Sequence, residues 1–363
     1  MATIFYSVMG EGRGHAARAR SMVESLRNRH RVVLYTSHDA LAFLRAAYED
    51  DAGVEVREIP GLQFHYTEGK LDNGKTIREG LSFWWNSGKS VRALEADVLR
   101  DEPDLVVCDF EPLMPRAAHR HGVPVLSLDH QHFMVAYDLA SLPKRLRRWA
   151  WAMGWSVWMF GIAQQRTVIS AFYYPPLRPN WREAIQVGPL LRPAVRERTP
   201  DVGGHALTYL RKATPPRVVD MLGDLGSAPG GLPVRVYGLG EREPVGGATF
   251  HAISEQSFLD DLATCDCVIA AAGNQLLGEA LYFGKPVYAL PERNHHEQCI
   301  NACFLKQLGA GDWSALERVT AEDLAEFLSK RDAYRRQLAD SGFEFDGTQA
   351  AAEAIEAMLP GDR

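Results

Sequence analysis

The residues with the types and spacing to do chemistry lie first of all between Ala271 and Ala302 (AAGNQLLGEALYFGKPVYALPERNHHEQCINA). The apolar run Cys265 to Ala272 reads as a strand buried on both faces, and Gly273 ends it where the chain must turn sharply into a helix. The exposed N–H groups of that helix, opened by Asn274 and Gln275, would face a ligand anion, so a diphosphate can sit there without a metal. One and a half turns on, Glu279 offers a carboxylate able to accept both hydroxyls of a ribose. Lys285 to Leu290 reads as the next strand. Glu297 and Gln298 open the helix after it, where a carboxylate and an amide can accept from and donate to sugar hydroxyls.

A second set lies nearer the N-terminus. The strand Thr3 to Met9 runs into Gly10, Gly12, Gly14 and His15 and then an Ala/Arg-rich helix. A dinucleotide fingerprint would need glycine where His15 stands, three positions after Gly12. Asp109 lies at the C-terminal end of the buried run Asp104 to Phe110 (DLVVCDF), where open α/β sheets place functional groups. Imidazole titrates near neutrality, and a carboxylate on one ring nitrogen fixes its tautomer and frees the other to take a proton. A structural loop histidine and a helix cap before Glu111 and Pro112 are the plainer readings of His15 and Asp109.

From Asp266 through Gly273 and Glu279 to Gln298, Asn301 and Ala302, the order resembles the nucleotide-sugar-binding half of GT-B glycosyltransferases. The resemblance is especially to the bacterial lipid-linked N-acetylglucosaminyltransferases and the plant and natural-product UDP-sugar transferases, whose Asp-Gln pair appears here as Glu297-Gln298. The resemblance implies ribose recognition by Glu279, diphosphate at the turn of Gly273, Asn274 and Gln275, and donor-sugar hydroxyls at Glu297 and Gln298. It also implies an acceptor loop at Gly12 and Gly14 and a general base at His15, oriented by Asp109. The plant-type pattern has a histidine and a serine around the phosphate turn, where this chain has Ala271 and Leu276. Side-chain phosphate contacts then fall to Arg211 and Lys212, after the predicted strand His205 to Leu210, unless these are solvated surface cations. Uracil is the base implied by the likeness, with Ser254 to Phe258 as its contact. His130 and His132 follow the predicted strand Val123 to Leu128 and either line the acceptor cleft or sit in a surface loop.

The elements that must position these residues alternate. Strands are expected near 3–9, 31–37, 54–59, 104–110 and 123–128, with helices at 16–28, 39–48, 76–100 and 112–121, a pattern that makes a parallel sheet covered on both faces. The stretch 175–204, rich in proline and ending in Gly203-Gly204, reads as a linker. Strands near 205–210, 233–239, 248–252, 265–272 and 285–290 follow, with closing helices at about 320–339 and 348–359. The expected fold class is α/β of the GT-B kind, two Rossmann-like domains (1–200 and 205–363) with parallel sheets facing a cleft, the last helix packing back on the first domain. No short-period repeat is evident.

Composition agrees: 363 residues with 46% apolar content can fill two cores, and a net charge of −6 with a pI near 6.1 argues against a nucleic-acid partner. Five cysteines, Cys108, Cys265, Cys267, Cys299 and Cys303, suit a reducing cytosol, and no secretory signal is read at the N-terminus. A metal site from Cys299, Cys303 and His295 or His296 is a weak alternative, and no Asp-x-Asp motif follows a strand. Lys144, Arg145, Arg147 and Arg148 precede a run from Trp149 to Ala163 that holds four of the eight tryptophans. That run is short of the roughly 20 residues needed to span a bilayer, but has the composition of a segment lying on one. A buried or interdomain helix is the competing reading.

The expected activity is inverting, metal-independent and cofactor-free transfer from a UDP-sugar to a hydroxyl of a hydrophobic or lipid-linked acceptor, in the cytoplasm or at the inner membrane face. A sugar-nucleotide epimerase or hydrolase, a dinucleotide-dependent oxidoreductase and a non-catalytic sugar-nucleotide binder are the rivals.

Overall fold

Parallel strands covered on both faces read as uninterrupted apolar runs, as Leu105 to Cys108 and Cys267 to Ala270 do here. The computed structural model describes all residues except 12, 52, 63–65, 68–69, 72, 162, 212–213 and 361–363. The chain divides into two compact units, one of residues 1–141, 147–192 and 346–363, the other of 142–146 and 193–345.

In the first unit the elements run β1 (Thr3–Val8), α1 (Arg13–Leu26), β2 (Arg31–Thr36), α2 (His38–Tyr48), β3 (Val54–Glu58), a two-stranded ribbon of β4 (Tyr66–Thr67) and β5 (Lys70–Leu71), and α3 (Asn73–Asp101). They continue through β6 (Leu105–Asp109), α4 (Met114–Arg120), β7 (Val125–Asp129), α5 (Phe133–Ala136), α6 (Lys144–Phe160, from Arg147 onward in this unit), β8 (Arg166–Ser170) and β9 (Ile185–Val187). Seven strands form a parallel sheet in the order β3-β2-β1-β6-β7-β8-β9. Successive side chains of a strand point to opposite faces. Thus Ile4, Tyr6 and Val8 enter the core that includes residues of α1 and α2, whereas Phe5 joins Val33, Tyr35 and Val106 in the core that includes residues of α3 and α4.

The second unit has α7 (Pro193–Arg196), β10 (Ala206–Tyr209), α8 (Pro216–Ser227), β11 (Val234–Tyr237), β12 (Ala248–His251), α9 (Glu255–Thr264), β13 (Cys267–Ala270), α10 (Asn274–Tyr282), β14 (Val287–Ala289), α11 (His296–Leu308), β15 (Gly311–Trp313) and α12 (Ala321–Asp340). Its six parallel strands are ordered β12-β11-β10-β13-β14-β15 over a separate core. The α/β class with two Rossmann-like parallel sheets, expected from the alternation, is what the chain adopts. The final helix, α13 (Thr348–Glu356), belongs to the first unit, where Ala351, Ala352, Ala354 and Ile355 enter the core beside α1.

The expected linker at 175–204 needs correction. Ile185–Val187 is the edge strand β9, paired in parallel with β8, and the units divide between Arg192 and Pro193. The prolines do not prevent this, because Pro175, Pro176, Pro179 and Pro189 all lie outside the three paired residues. Strands β8 and β15 likewise extend the sheets beyond those the sequence predicts.

Docking of α13 is testable. Ile355→Ala removes a fully buried side chain, and a cost of about 2–5 kcal/mol is expected in urea denaturation of the first unit. A change near zero would mean that α13 does not contribute to that core in solution.

Candidate active site

In both units the candidate residues follow the C-terminal ends of strands, with Asp109 and His15 beside the reversal between β1 and β6 and Arg211 and Gly273 beside that between β10 and β13. In the first sheet β1 and β6 are neighbours with Val8 opposite Asp109, and Met9 N donates to the Asp109 carbonyl at 2.9 Å. The chain leaving β1 must therefore pass Asp109 before starting α1. Gly10 is required in that passage because a Cβ there would collide with the Ser37 hydroxyl and carbonyl beyond β2.

This turn sets His15, in the first turn of α1, against Asp109, with Nδ1 2.8 Å from Oδ1. The Asp109 side chain is wholly buried and that of His15 is 14% exposed. Arg18, one helical turn after His15, meets the same carboxylate, with Nη2 2.8 Å from Oδ1 and Nε 3.2 Å from Oδ2. Burial pushes the Asp109 carboxyl up, but the Arg18 charge, the His15 charge and the hydrogen bonds from both outweigh it, and the net effect holds it below its ordinary value. Arg18 was not anticipated from sequence. Its only signal is the i+3 spacing from His15.

Asp109 does not cap the following helix. Phe110 takes a left-handed turn (φ 56°), and the cap passes to Glu111, whose carboxylate accepts from Leu113 N at 2.7 Å and Met114 N at 2.9 Å. Gly14 stands in open space at the start of α1, while Gly12 lies outside the described residues.

Both His130 and His132 are buried, so the surface-loop reading of them is corrected. His130 Nδ1 donates to the Ser170 carbonyl at 3.0 Å, and His132 is held by Asp129 (Nδ1 to Oδ2 2.7 Å) and Gln164 (2.8 Å from Nε2). Their loop does follow β7, but the turn there points both rings inward, because Asp129 also accepts from His132 N and pulls the loop back on itself.

In the second sheet β10 and β13 are the neighbours at the reversal. Gly273 is the residue before α10 with extended backbone, and a Cβ built on it would meet nothing within 4 Å, so the N-terminus of that helix is approachable. Glu279 and Asn274 are buried, and Glu279 Oε1 accepts from Gln275 Nε2 at 2.9 Å. Helix α11 is tied to this turn by Asn301, whose Nδ2 donates to the Ala272 carbonyl at 3.0 Å. Gln298 Oε1 accepts from Glu292 N at 2.8 Å, and Glu297 lies half-buried in the first turn of α11. Arg211, just past β10, pairs with Glu292 at 3.2 Å but is 59% exposed, an arrangement worth little energy and free to be exchanged for a ligand anion. Lys212 lies outside the described residues. Ser254 caps α9 by accepting from Ser257 N, and the half-buried Phe258 ring meets Tyr209 and Tyr237 edge-on at the ends of β10 and β11. Thus Gly273, Arg211, Glu292, Gln298 and Phe258 share one edge of the second sheet.

Among the described residues no group of three or more His, Cys, Asp or Glu side chains is placed to hold a metal, and His295 Nδ1 instead accepts from Gln298 N as a helix cap. The tryptophan-rich segment is the helix α6. Trp151, Trp155 and Trp158, spaced to fall on one face, are 78%, 58% and 65% exposed, so the wholly buried reading is corrected. No helix among the described residues is long and apolar enough to cross a membrane.

A family model described as Glycosyl transferase family 1 matches residues 2–331. A protein of Methanosarcina acetivorans, described as an uncharacterized glycosyltransferase, is 25% identical over 97% of each chain. By fold the structure is similar to MurG from Acinetobacter baumannii (TM-score 0.66, 14% identity, 98% of this chain and 100% of that one covered). It is also similar to Arabidopsis thaliana UGT89C1 complexed with UDP-L-rhamnose (TM-score 0.64, 14% identity, 99% of each chain). At these identities the likeness shows the fold, the GT-B pair of Rossmann-like domains.

The charges around Asp109 make a pH prediction. Burial raises the Glu111 carboxyl to about 7 against the pull of its two backbone donors. A carboxyl raised on folding contributes stability that is fully present below its unfolded value near 4.3 and lost as pH rises through about 7. Asp109, depressed on folding, works oppositely, contributing above about 4 and losing that contribution in acid. Relative to wild type, Glu111→Gln is therefore expected to remove a loss of roughly 3 kcal/mol between pH 4.5 and 7.5, at about 1.4 kcal/mol per pH unit. Denaturation midpoints across that range measure it, and parallel curves would contradict it.

Proposed function

The chain belongs to glycosyl transferase family 1, and from that premise we propose that it transfers the sugar of a UDP-sugar, with inversion and without a metal, to a hydroxyl of an apolar or lipid-linked acceptor. The observation that carries this reading is the 2.8 Å approach of His15 Nδ1 to the buried Asp109 carboxylate. With Nδ1–H given to Asp109, the Nε2 lone pair is available to an acceptor hydroxyl. As the acceptor oxygen attacks the anomeric carbon, its proton passes to Nε2, the bond from that carbon to the diphosphate oxygen breaks, and the electron pair leaves with the nucleotide. Direct displacement inverts the anomeric centre. The developing imidazolium is stabilised by Asp109, and the departing diphosphate by the N–H groups and dipole at the start of α10.

Glu279 would exchange its bond from Gln275 for the ribose hydroxyls, while Glu297 and Gln298 engage the donor sugar. Arg211 would supply the phosphate cation that Ala271 and Leu276 cannot, with Ser254 and Phe258 beside the base. A UDP donor is supported by the UDP-L-rhamnose in the similarly folded UGT89C1. An apolar acceptor is supported by the exposed tryptophan face of α6, which begins with four exposed cations, Lys144, Arg145, Arg147 and Arg148, suited to anionic lipid headgroups. The enzyme would then work at the cytoplasmic face of a membrane, and its five free cysteines suit that compartment.

A thermal-shift panel of UDP, TDP, GDP, several UDP-sugars and NAD tests the donor assignment. Selective stabilisation by UDP ligands, about 2.7 kcal/mol at a hundredfold excess over Kd, is expected, as is its marked weakening in Glu279→Ala. A response to NAD alone, or to none of the panel, would contradict the proposal.

A further inference from the structure

A buried guanidinium must find a counter-charge, and Arg18 finds the same carboxylate that faces His15. Arg18 is 4% exposed. Its Nε and Nη2 grip Asp109 side-on through both carboxylate oxygens, and Nη2 also lies 2.9 Å from His15 Nδ1. His15 Nδ1 is thus flanked by an acceptor, Asp109 Oδ1 at 2.8 Å, and by a donor, Arg18 Nη2.

The position of one proton separates the two arrangements this allows. On Nδ1, the proton is donated to Asp109 and Nε2 is left with a lone pair. On Nε2, it leaves Nδ1 to accept from Arg18, and the ring has no lone pair to offer an acceptor hydroxyl. Two facts favour the first. A carboxylate has about four lone-pair sites, and Arg18 Nε, Arg18 Nη2 and His15 Nδ1 fit among them. Gripped at both oxygens, the carboxylate cannot rotate Oδ1 away from the ring.

We propose that Arg18 is the positioning residue of the base: it clamps Asp109 so that Oδ1 takes the Nδ1 proton and His15 Nε2 stays open to the acceptor. The inference rests on the reading of His15 as base, and Arg18, buried behind the carboxylate, acts only through Asp109 and His15.

The tautomer can be read without a substrate, from two-bond 15N–1H correlations of histidine-labelled protein, with the His15 signal identified by its loss in His15→Gln. Wild type is expected to show Nδ1–H. Arg18→Met and Arg18→Lys, the second keeping the charge but losing the fork, are expected to show a mixture of tautomers. In Arg18→Met, UDP release from a UDP-hexose should fall in kcat by about a hundredfold, with KM changed less than about threefold, and Arg18→Lys should recover part of the loss. If Arg18→Met does not fold, the tautomer in Arg18→Lys decides. An unchanged Nδ1–H signal in the folded variants overturns the proposal and leaves the base assignment standing. Retained turnover in His15→Gln overturns the base assignment itself, by a result that does not involve Arg18.

Discussion

Asp109 is a carboxylate with no access to water, and an uncompensated charge in that position would cost several kcal/mol. Much of the first unit can be understood as meeting that cost. Strand β6 delivers the carboxylate to the sheet edge, β1 lies beside it in register, and Gly10 lets the connection to α1 pass close enough for the first turns of the helix to reach back. Arg18 then supplies the counter-charge and His15 the third hydrogen bond. The arrangement that makes the burial tolerable also fixes a histidine at a partly open edge of the sheet. Stability and reactivity thus depend on one ion pair, and removal of either partner should damage both.

The second unit solves a different problem with the same topology. On the proposed reading an anionic leaving group needs fixed positive potential without water having to reorganise, and a helix beginning at a sheet reversal would provide it. Gly273 leaves the start of α10 sterically open, while Asn301 ties α11 to the preceding turn and Gln298 holds Glu292 N. These side chains use their hydrogen bonds to set the loop, and under the proposal leave the helix terminus to meet the ligand. The absence of the usual histidine and serine at Ala271 and Leu276 is consistent with a backbone-dominated phosphate site assisted by the exchangeable Arg211.

Local chemistry was legible in the sequence; orientation was not. The turn at Gly273 could be read because a glycine between an apolar run and a helix has few other uses, and Glu279 and Gln298 follow at fixed helical offsets. His15 and Asp109 lie 94 residues apart and could be paired from sequence only through the family resemblance, helped by Asp109 standing at the end of a predicted strand. Arg18 escaped notice because the helix also carries Arg13 and Arg20, and nothing in the composition says which of them turns inward. The same holds for His130 and His132: a position after a strand is visible in sequence, whereas the inward direction of the His132 side chain depends on Asp129 drawing the loop back. Strand β9 was hidden by its length of three residues among prolines, where neither alternation nor an apolar run can form a signal.

On the proposed reading His15, held by Asp109, assists a single direct displacement at the anomeric carbon. The measurement that tests it most directly is the anomeric configuration of the glycoside formed from a UDP-α-hexose and an apolar alcohol, read from the anomeric coupling in its proton NMR spectrum. A β-configured product is predicted. An α-configured product would require two displacements or a different face of attack, and would contradict the account.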